Sequence, residues 1–160
     1  MKHLICISIA LLIGFSSCSS KKPIYEQTVN FPNYQWNRFN ILEFSPEIKK
    51  TKKTYDFAVI LTYQEGYPYE TLPINTVLTY PNGQKNILRR VILIKNEQGY
   101  LGNKEGKLRR IETIIHTGKK FSEVGKYTFT VQQLTQYYDL ENIASIRCKV
   151  SPSIPKKRTS

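Results

Sequence analysis

The stretch Thr54–Tyr63, "TYDFAVILTY", decides the fold class. Its odd positions, Tyr55, Phe57, Val59, Leu61 and Tyr63, put five apolar side chains on one face of an extended chain, because side chains on a strand alternate between faces. The alternation returns in "KYTFTVQQ", where Tyr127, Phe129 and Val131 point one way and Thr128, Thr130 and Gln132 the other. It returns again in "IASIRCKV", which predicts Ala144, Ile146, Cys148 and Val150 inward and Ser145, Arg147 and Lys149 outward. Strands that are apolar on one side and polar on the other belong to antiparallel sheets with a single face on the core.

Weaker runs of the same kind cover Arg38–Phe44, Ile74–Tyr80, Ile87–Lys95 and Leu108–Thr117. Asn82-Gly83, inside "YPNGQ", is a strong hairpin signal. Gly99, Gly102 and Gly106 mark a long loop or hairpin between the next two strands. The segment "VQQLTQYYDLENIA" holds the one candidate helical turn, around Leu134–Leu140; the other reading of it is a crossover loop. The expected fold is all-β: one antiparallel β-sandwich, immunoglobulin- or jelly-roll-like, of seven to eight strands over residues 25–150. In "GKYTFTV", Gly125 lies two residues before Tyr127 at a strand entrance, which resembles the tyrosine corner of such sandwiches.

The ends of the chain read differently. Lys2 is followed by a twelve-residue apolar run, Leu4–Phe15, and then by Ser16 and Ser17, the layout of a secretory leader over residues 1–17. That run is too short for a membrane-spanning helix, which needs about 20 residues. Cys18 follows, and "FSSC" resembles a bacterial lipobox, making Cys18 the expected lipidation site. Each buried CH₂ of an acyl chain is worth about 0.8 kcal/mol, and two or more chains anchor stably. Residues 18–24 are then a linker that reaches at most about 25 Å. Cys6 leaves with the leader and Cys18 carries lipid, so Cys148 is the one thiol remaining and no intramolecular disulfide is expected. About 140 residues bury an adequate core without one. Residues 151–160, "SPSIPKKRTS", read as a disordered basic tail.

The formal charge is +12, or +11 once Lys2 is removed. It comes in clusters: Lys49–Lys53, Arg89-Arg90, Arg109-Arg110, Lys119-Lys120 and Lys156–Arg158. Basic, aromatic-rich chains include nucleic-acid binders, but an exported chain meets other anions: lipid head groups, glycans and acidic proteins. Clusters of this kind also serve simply as a solvated surface.

Catalytic constellations are hard to assemble from these residues. His116 is the one histidine after the leader and shares strand parity with Arg110 and Glu112, so it is expected on the polar face or at a strand end. A zinc site lacks ligands, and no "GxSxG" is present. Cys148 falls on an apolar face, where thiols are inert packing. No pair among the twelve acidic residues has the spacing of a glycosidase site. The glycines of "GYLGNKEG" do not link a strand to a helix, so they are no dinucleotide loop. The expectation is a non-enzyme without metal or cofactor.

Eleven Tyr and seven Phe remain to be explained. In "GYPYETLP", Gly66–Pro73, Pro68 stiffens the chain and biases Tyr67 to an extended geometry. Tyr67 and Tyr69 then share a face. They form either a structural corner or an exposed platform; sugars stack on exposed aromatics, and buried ones fill the space between sheets.

Taken in order, the lipobox cysteine, Trp36 ahead of an apolar strand, "YDFAVILTY" leading into "YPYETL", "GYLGNKEG", "GKYTFTVQQ" and "LENIASIRCKV" resemble the gliding-motility lipoprotein GldH family of Bacteroidetes over about Tyr25–Val150. Tyr55, Asp56, Phe57, Leu61, Tyr67, Pro68, Tyr69 and Leu72 carry most of the likeness. Where that family tends to show a Gly-x-Gly pattern, Tyr100 and Gly102 stand in. The resemblance implies a lipid-anchored envelope protein, without known catalytic residues, that works with other proteins of the gliding and secretion machinery. It makes Tyr67, Pro68, Tyr69, Tyr100 and Gly102 candidates for partner contact. The absence of an acidic run after Cys18 fits a periplasm-facing lipoprotein. The alternative is a carbohydrate-binding module that holds cell-wall or surface glycan.

Overall fold

The computed structural model describes residues 22–154, and these are strands and connections with no helix among them. In chain order the strands are β1 (Tyr25–Asn30), β2 (Gln35–Asn37), β3 (Leu42–Phe44), β4 (Glu47–Ile48), β5 (Thr54–Gln64), β6 (Thr71–Thr79), β7 (Lys85–Leu93), β8 (Lys95–Asn96), β9 (Gly99–Tyr100), β10 (Asn103–Glu105), β11 (Leu108–Lys120), β12 (Gly125–Lys126), β13 (Thr128–Gln133), β14 (Asp139–Glu141) and β15 (Ile143–Pro152). One sheet has the order β1-β15-β5-β11-β10 and the other β3-β13-β6-β7, with antiparallel pairing throughout. Three two-stranded ribbons, β4–β12, β2–β14 and β8–β9, close the ends. This is the expected antiparallel sandwich, with more strands than the sequence pattern suggested.

The extra strands are those with little alternation to read. β1 is mostly polar because it is an edge strand with few buried positions. The run Arg38–Phe44 is a strand only from Leu42, since Asn37 to Ile41 turn: the amide of Asn40 bonds the carbonyl of Asn37 at 3.0 Å. Ser151 and Pro152 belong to β15 rather than to a tail; residues 155–160 lie outside the described residues, as do the leader and Cys18.

The core forms where the sheets face each other. Tyr55, Phe57, Val59, Leu61 and Tyr63 of β5 are all buried against Leu72, Ile74, Leu78, Phe129 and Val131 of the opposite sheet. Phe57 meets Phe129 edge to face, ring centres 5.6 Å apart. As the central strand, β5 also buries Ala58 and Ile60 on its outer face. There Lys149 and Arg147, their register partners on β15, lay their stems across the sheet. Lys149 ends on Glu112 of β11 at 2.7 Å and Arg147 on Glu26 of β1 at 2.8 Å.

Two bulges shift the expected faces. In β15 the register slips between Ile143 and Ser145, so Ile143 takes the core position and Ala144 is only half-buried. In β11 it slips at Ile114/His116 and again at His116/Lys119. The first slip adds a residue, and a one-residue slip moves side chains to the other face. Ile115 and His116 are therefore buried together, which corrects the expected surface position of His116. The second slip is held by Asp56, whose carboxylate accepts the amide of Gly118 at 2.7 Å.

The Tyr80–Gln84 hairpin is a four-residue turn rather than a two-residue Asn-Gly one. A two-residue Asn82-Gly83 loop would have to pair Pro81 with Gln84, and Pro81 has no N–H to give to that pair. The chain instead closes Gly83 N–H onto the Tyr80 carbonyl at 2.9 Å and places Gly83 itself at φ +84. Leu134–Tyr138 is a crossover loop, pinned by the buried Gln133 amide, which donates to the carbonyls of Tyr137 at 3.2 Å and Trp36 at 3.5 Å.

Candidate interaction surface

The register gives the sandwich two distinct ends. β5 runs from Thr54 at one end to Gln64 at the other, and β11 returns from Leu108 beside Gln64 to Lys120 beside Thr54. The chain enters at the Thr54 end, where Tyr25 pairs with Val150. The far end holds Tyr63, the "YPY" segment and β8–β9.

Tyr67 is completely buried, which corrects the expectation that it faces a partner. Its ring packs edge-on against Tyr63 and Tyr69, and its phenol donates to the Thr71 carbonyl at 3.2 Å. Burial pushes that phenol's pKa up. Tyr67 is thus the pin of a corner. Tyr100, half-buried, locks it from the other side by donating to the Tyr67 carbonyl at 3.3 Å. Tyr63 ties in β8–β9 by donating to the Leu101 carbonyl at 2.7 Å. Gly102 is exposed, yet it is a packing residue: at φ +88, a Cβ there would lie 2.5 Å from the Arg110 carbonyl oxygen.

Pro68 and Tyr69 do reach the surface. Tyr69 stacks on Tyr137 with ring centres 4.7 Å apart. The chain continues from Tyr137 into Tyr138, which is 64% exposed and lies 5.8 Å from Phe39, 71% exposed. The Arg38 guanidinium sits 5.7 Å from both of those rings. The backbones are tied by the Arg38 amide on the Tyr138 carbonyl at 2.7 Å and by the β2–β14 pairing below. The result is a shelf of Phe39, Tyr138, Tyr137, Tyr69 and Arg38. Of these, the sequence reading singled out Tyr69 alone. Adjacent tyrosines in a polar loop carry no period from which their exposure can be read; the usable signal is the lack of a strand pattern in "LTQYYD".

Elsewhere the chemistry is muted. Among the described residues no three His, Cys, Asp or Glu side chains gather to hold a metal ion. Cys148 is buried, and burial raises its thiol pKa. His116 packs edge-on to Phe57, its Nε2 without a hydrogen-bond partner. Burial, with Lys119 and Arg90 nearby, lowers its pKa to about 4. At the far end, Glu65 holds Arg109 at 2.7 Å and Lys104 at 3.5 Å, and the bond to Arg109 keeps its carboxyl below the usual range.

Solved structures resemble this sandwich only loosely. An infectious bursal disease virus structure, Gx strain, aligns at TM-score 0.35 and 11% identity, covering 96% of this chain and 38% of the viral one. The VP2 subviral particle of the same virus aligns at TM-score 0.34 and 14% identity, covering 92% and 36%. Sequence comparison is more informative. A curated relative from Christiangramia forsetii, described as a gliding motility lipoprotein GldH homolog, is 24% identical over 157 residues, 92% of this chain and 94% of the relative. The family model described as GldH lipoprotein matches residues 23–150, which is the whole sandwich from just before β1 into β15, and the chain belongs to that family.

Proposed function

We propose that this protein is a non-catalytic, lipid-anchored envelope component that serves the gliding apparatus and its associated secretion machinery as a structural or assembly part. Cys18 carries the lipid, and the sandwich faces the periplasm. The observation that carries the reading is the shelf of Phe39, Tyr138 and Arg38, rigidly backed and set at the far end from the anchor. Exposed aromatics around an arginine have the composition of the energetic centre of a protein–protein interface. Pro68 and Tyr69 extend that face. A glycan platform fits less well: Tyr69 and Tyr137 cover each other's faces, and the Arg38 guanidinium lies 5.7 Å from the centres of both the Phe39 and Tyr138 rings.

The test is a deletion strain re-expressing the wild-type or the Cys18→Ser chain, scored for movement over a surface and for release of secreted adhesins. Loss of both, restored by the wild-type chain alone, is the expected result. Unchanged movement and secretion on deletion would reject the reading, and binding of the purified protein to surface glycan would then be measured.

A further inference from the structure

The Thr54 end of the sandwich collects cations with little counter-charge among the described residues. Lys49, Lys50, Lys52 and Lys53 fill the loop between β4 and β5. Lys119 and Lys120 close β11 beside Tyr55 and Thr54. One ion pair is present among these residues, Lys49 to Glu47 at 3.2 Å. All twelve acidic residues of the chain lie within the described residues, so the segments outside them hold no side-chain carboxylate for the others. This contrasts with the far end, where Glu65 and Glu105 ion-pair with Arg109, Lys104 and Arg110.

Within this basic end is a cleft of about 570 Å³. Ile24, Tyr25, Tyr55 and Pro152 give it apolar lining. Ser45, Glu47 and the exposed Lys49, Lys50 and Lys53 complete the lining. Tyr25 and Tyr55 are held in place, Tyr25 by accepting the Ser45 amide at 2.9 Å and Tyr55 by donating to the Lys50 carbonyl at 3.0 Å. The second bond fixes the lysine loop to the wall of the cleft. Apolar surface beside Lys50 and Lys53, which have no ion-pair partner among the described residues, fits an anionic amphiphile.

We infer that this cleft takes the headgroup phosphate of an anionic phospholipid, with Lys50 and Lys53 on the phosphate and Ile24 against the first methylenes of the acyl chains. The membrane is the source because Cys18 lies close to the cleft along the chain. Ile24 lines the cleft, and Lys22 is four residues on from Cys18, a reach of about 14 Å. A lipid on Cys18 therefore brings the cleft to the bilayer surface and turns the aromatic shelf away from it. That orientation rests on the anchored reading above; the cleft's own chemistry does not.

The experiment uses the chain from residue 18 onward with Cys18→Ser, so that no acyl group contributes. Co-sedimentation is measured with vesicles of phosphatidylcholine alone and with vesicles doped with phosphatidylglycerol. Binding to the doped vesicles is expected, falling about fivefold for Lys50→Gln and about 25-fold for Lys50→Gln with Lys53→Gln, at roughly one juxtamembrane lysine's contribution each. The exposed far-end pair Lys104→Gln with Lys107→Gln serves as the control for total charge and should leave binding within about twofold. Short-chain phosphatidylglycerol should displace the vesicles, and Ile24→Ser should weaken it; glycerol phosphate at the same concentration should not displace them. Equal losses from the two lysine pairs would reduce the site to diffuse charge. Equal displacement by glycerol phosphate would make it a free-anion site. Binding to undoped vesicles that ignores all these substitutions would also overturn the inference. Acyl labelling of Cys18 in cells is a separate readout, so the cleft and the anchor can fail independently.

Discussion

The phenol of Tyr127 donates to the backbone carbonyl of Glu123, four residues upstream, at 2.9 Å. This closes the tyrosine corner implied by "GKYTFTV". Tyr127 is fully buried among Phe121 and Tyr80, so its ring and its hydroxyl do separate jobs. Tyr127→Phe keeps the ring and should cost about 1 kcal/mol, one hydrogen bond's net contribution. Tyr127→Ala loses the ring as well and should cost about 3–5 kcal/mol. Urea midpoints at constant slope measure both; equal costs for the two variants would show that the ring adds nothing beyond the hydroxyl.

His116 predicts acid sensitivity. It is buried beside Phe57, with the cationic Lys119 and Arg90 as its charged neighbours, and its pKa is lowered to about 4 against an unfolded value near 6.5. Above pH 6.5 both states are neutral there and the group has no pH effect. Between about 6.5 and 4 the unfolded chain takes up a proton that the folded chain refuses, so stability falls as pH falls, by at most about 3 kcal/mol. Denaturant titrations at stepped pH should show this slope in the wild type and its loss in His116→Leu. A slope unchanged by the substitution would assign the acid sensitivity to other groups.

Gly102 separates space from backbone strain. Gly102 and Gly106 both have positive φ, +88 and +62, but a Cβ at Gly106 meets nothing within 4 Å, whereas one at Gly102 strikes the Arg110 carbonyl and Ile111. Gly106→Ala should cost about 1 kcal/mol, the left-handed penalty alone. Gly102→Ala should cost that plus the displacement of β11 from β10, about 3 kcal/mol in all. Thermal melts of the two variants give the comparison. Similar losses would mean that the loop gives way freely at Gly102.

Much of this fold was legible because period-two alternation survives wherever a strand has one face on the core. β5 and β13 are placed face for face by that rule, and Pro-Asn-Gly marks the β6–β7 turn. The rule fails where packing inserts a residue. The bulge at Ile115 turned His116 inward, and the slip at Ala144 replaced it with Ile143. Neither leaves a sequence signature, since both depend on what the neighbouring strands require. β1 was invisible because an edge strand buries too little to alternate. Aromatic roles were the least legible. Tyr67 and Tyr69 are two residues apart and chemically identical, yet one pins a corner and the other opens onto the shelf. Phe39 and Tyr138 gained significance only when β2–β14 pairing brought residues about a hundred positions apart together.

The same contrast yields the prediction that bears most directly on function. Phe39 and Tyr138 are exposed and carry little of the fold, so Phe39→Ser with Tyr138→Ser should shift stability by no more than about 0.5 kcal/mol each. Tyr67→Ala empties a fully buried site and should cost about 3–5 kcal/mol. Both sets are introduced into the deletion strain, and protein level, melting temperature and surface movement are scored together. If the shelf docks a partner, its double variant accumulates and melts like the wild type but does not support movement. Tyr67→Ala should lose movement in proportion to lost protein, with partial recovery at lower growth temperature. Normal movement by the shelf variant at normal protein level would remove the shelf as the partner face, and Pro68 and the β8–β9 ribbon of the same end would be tested next.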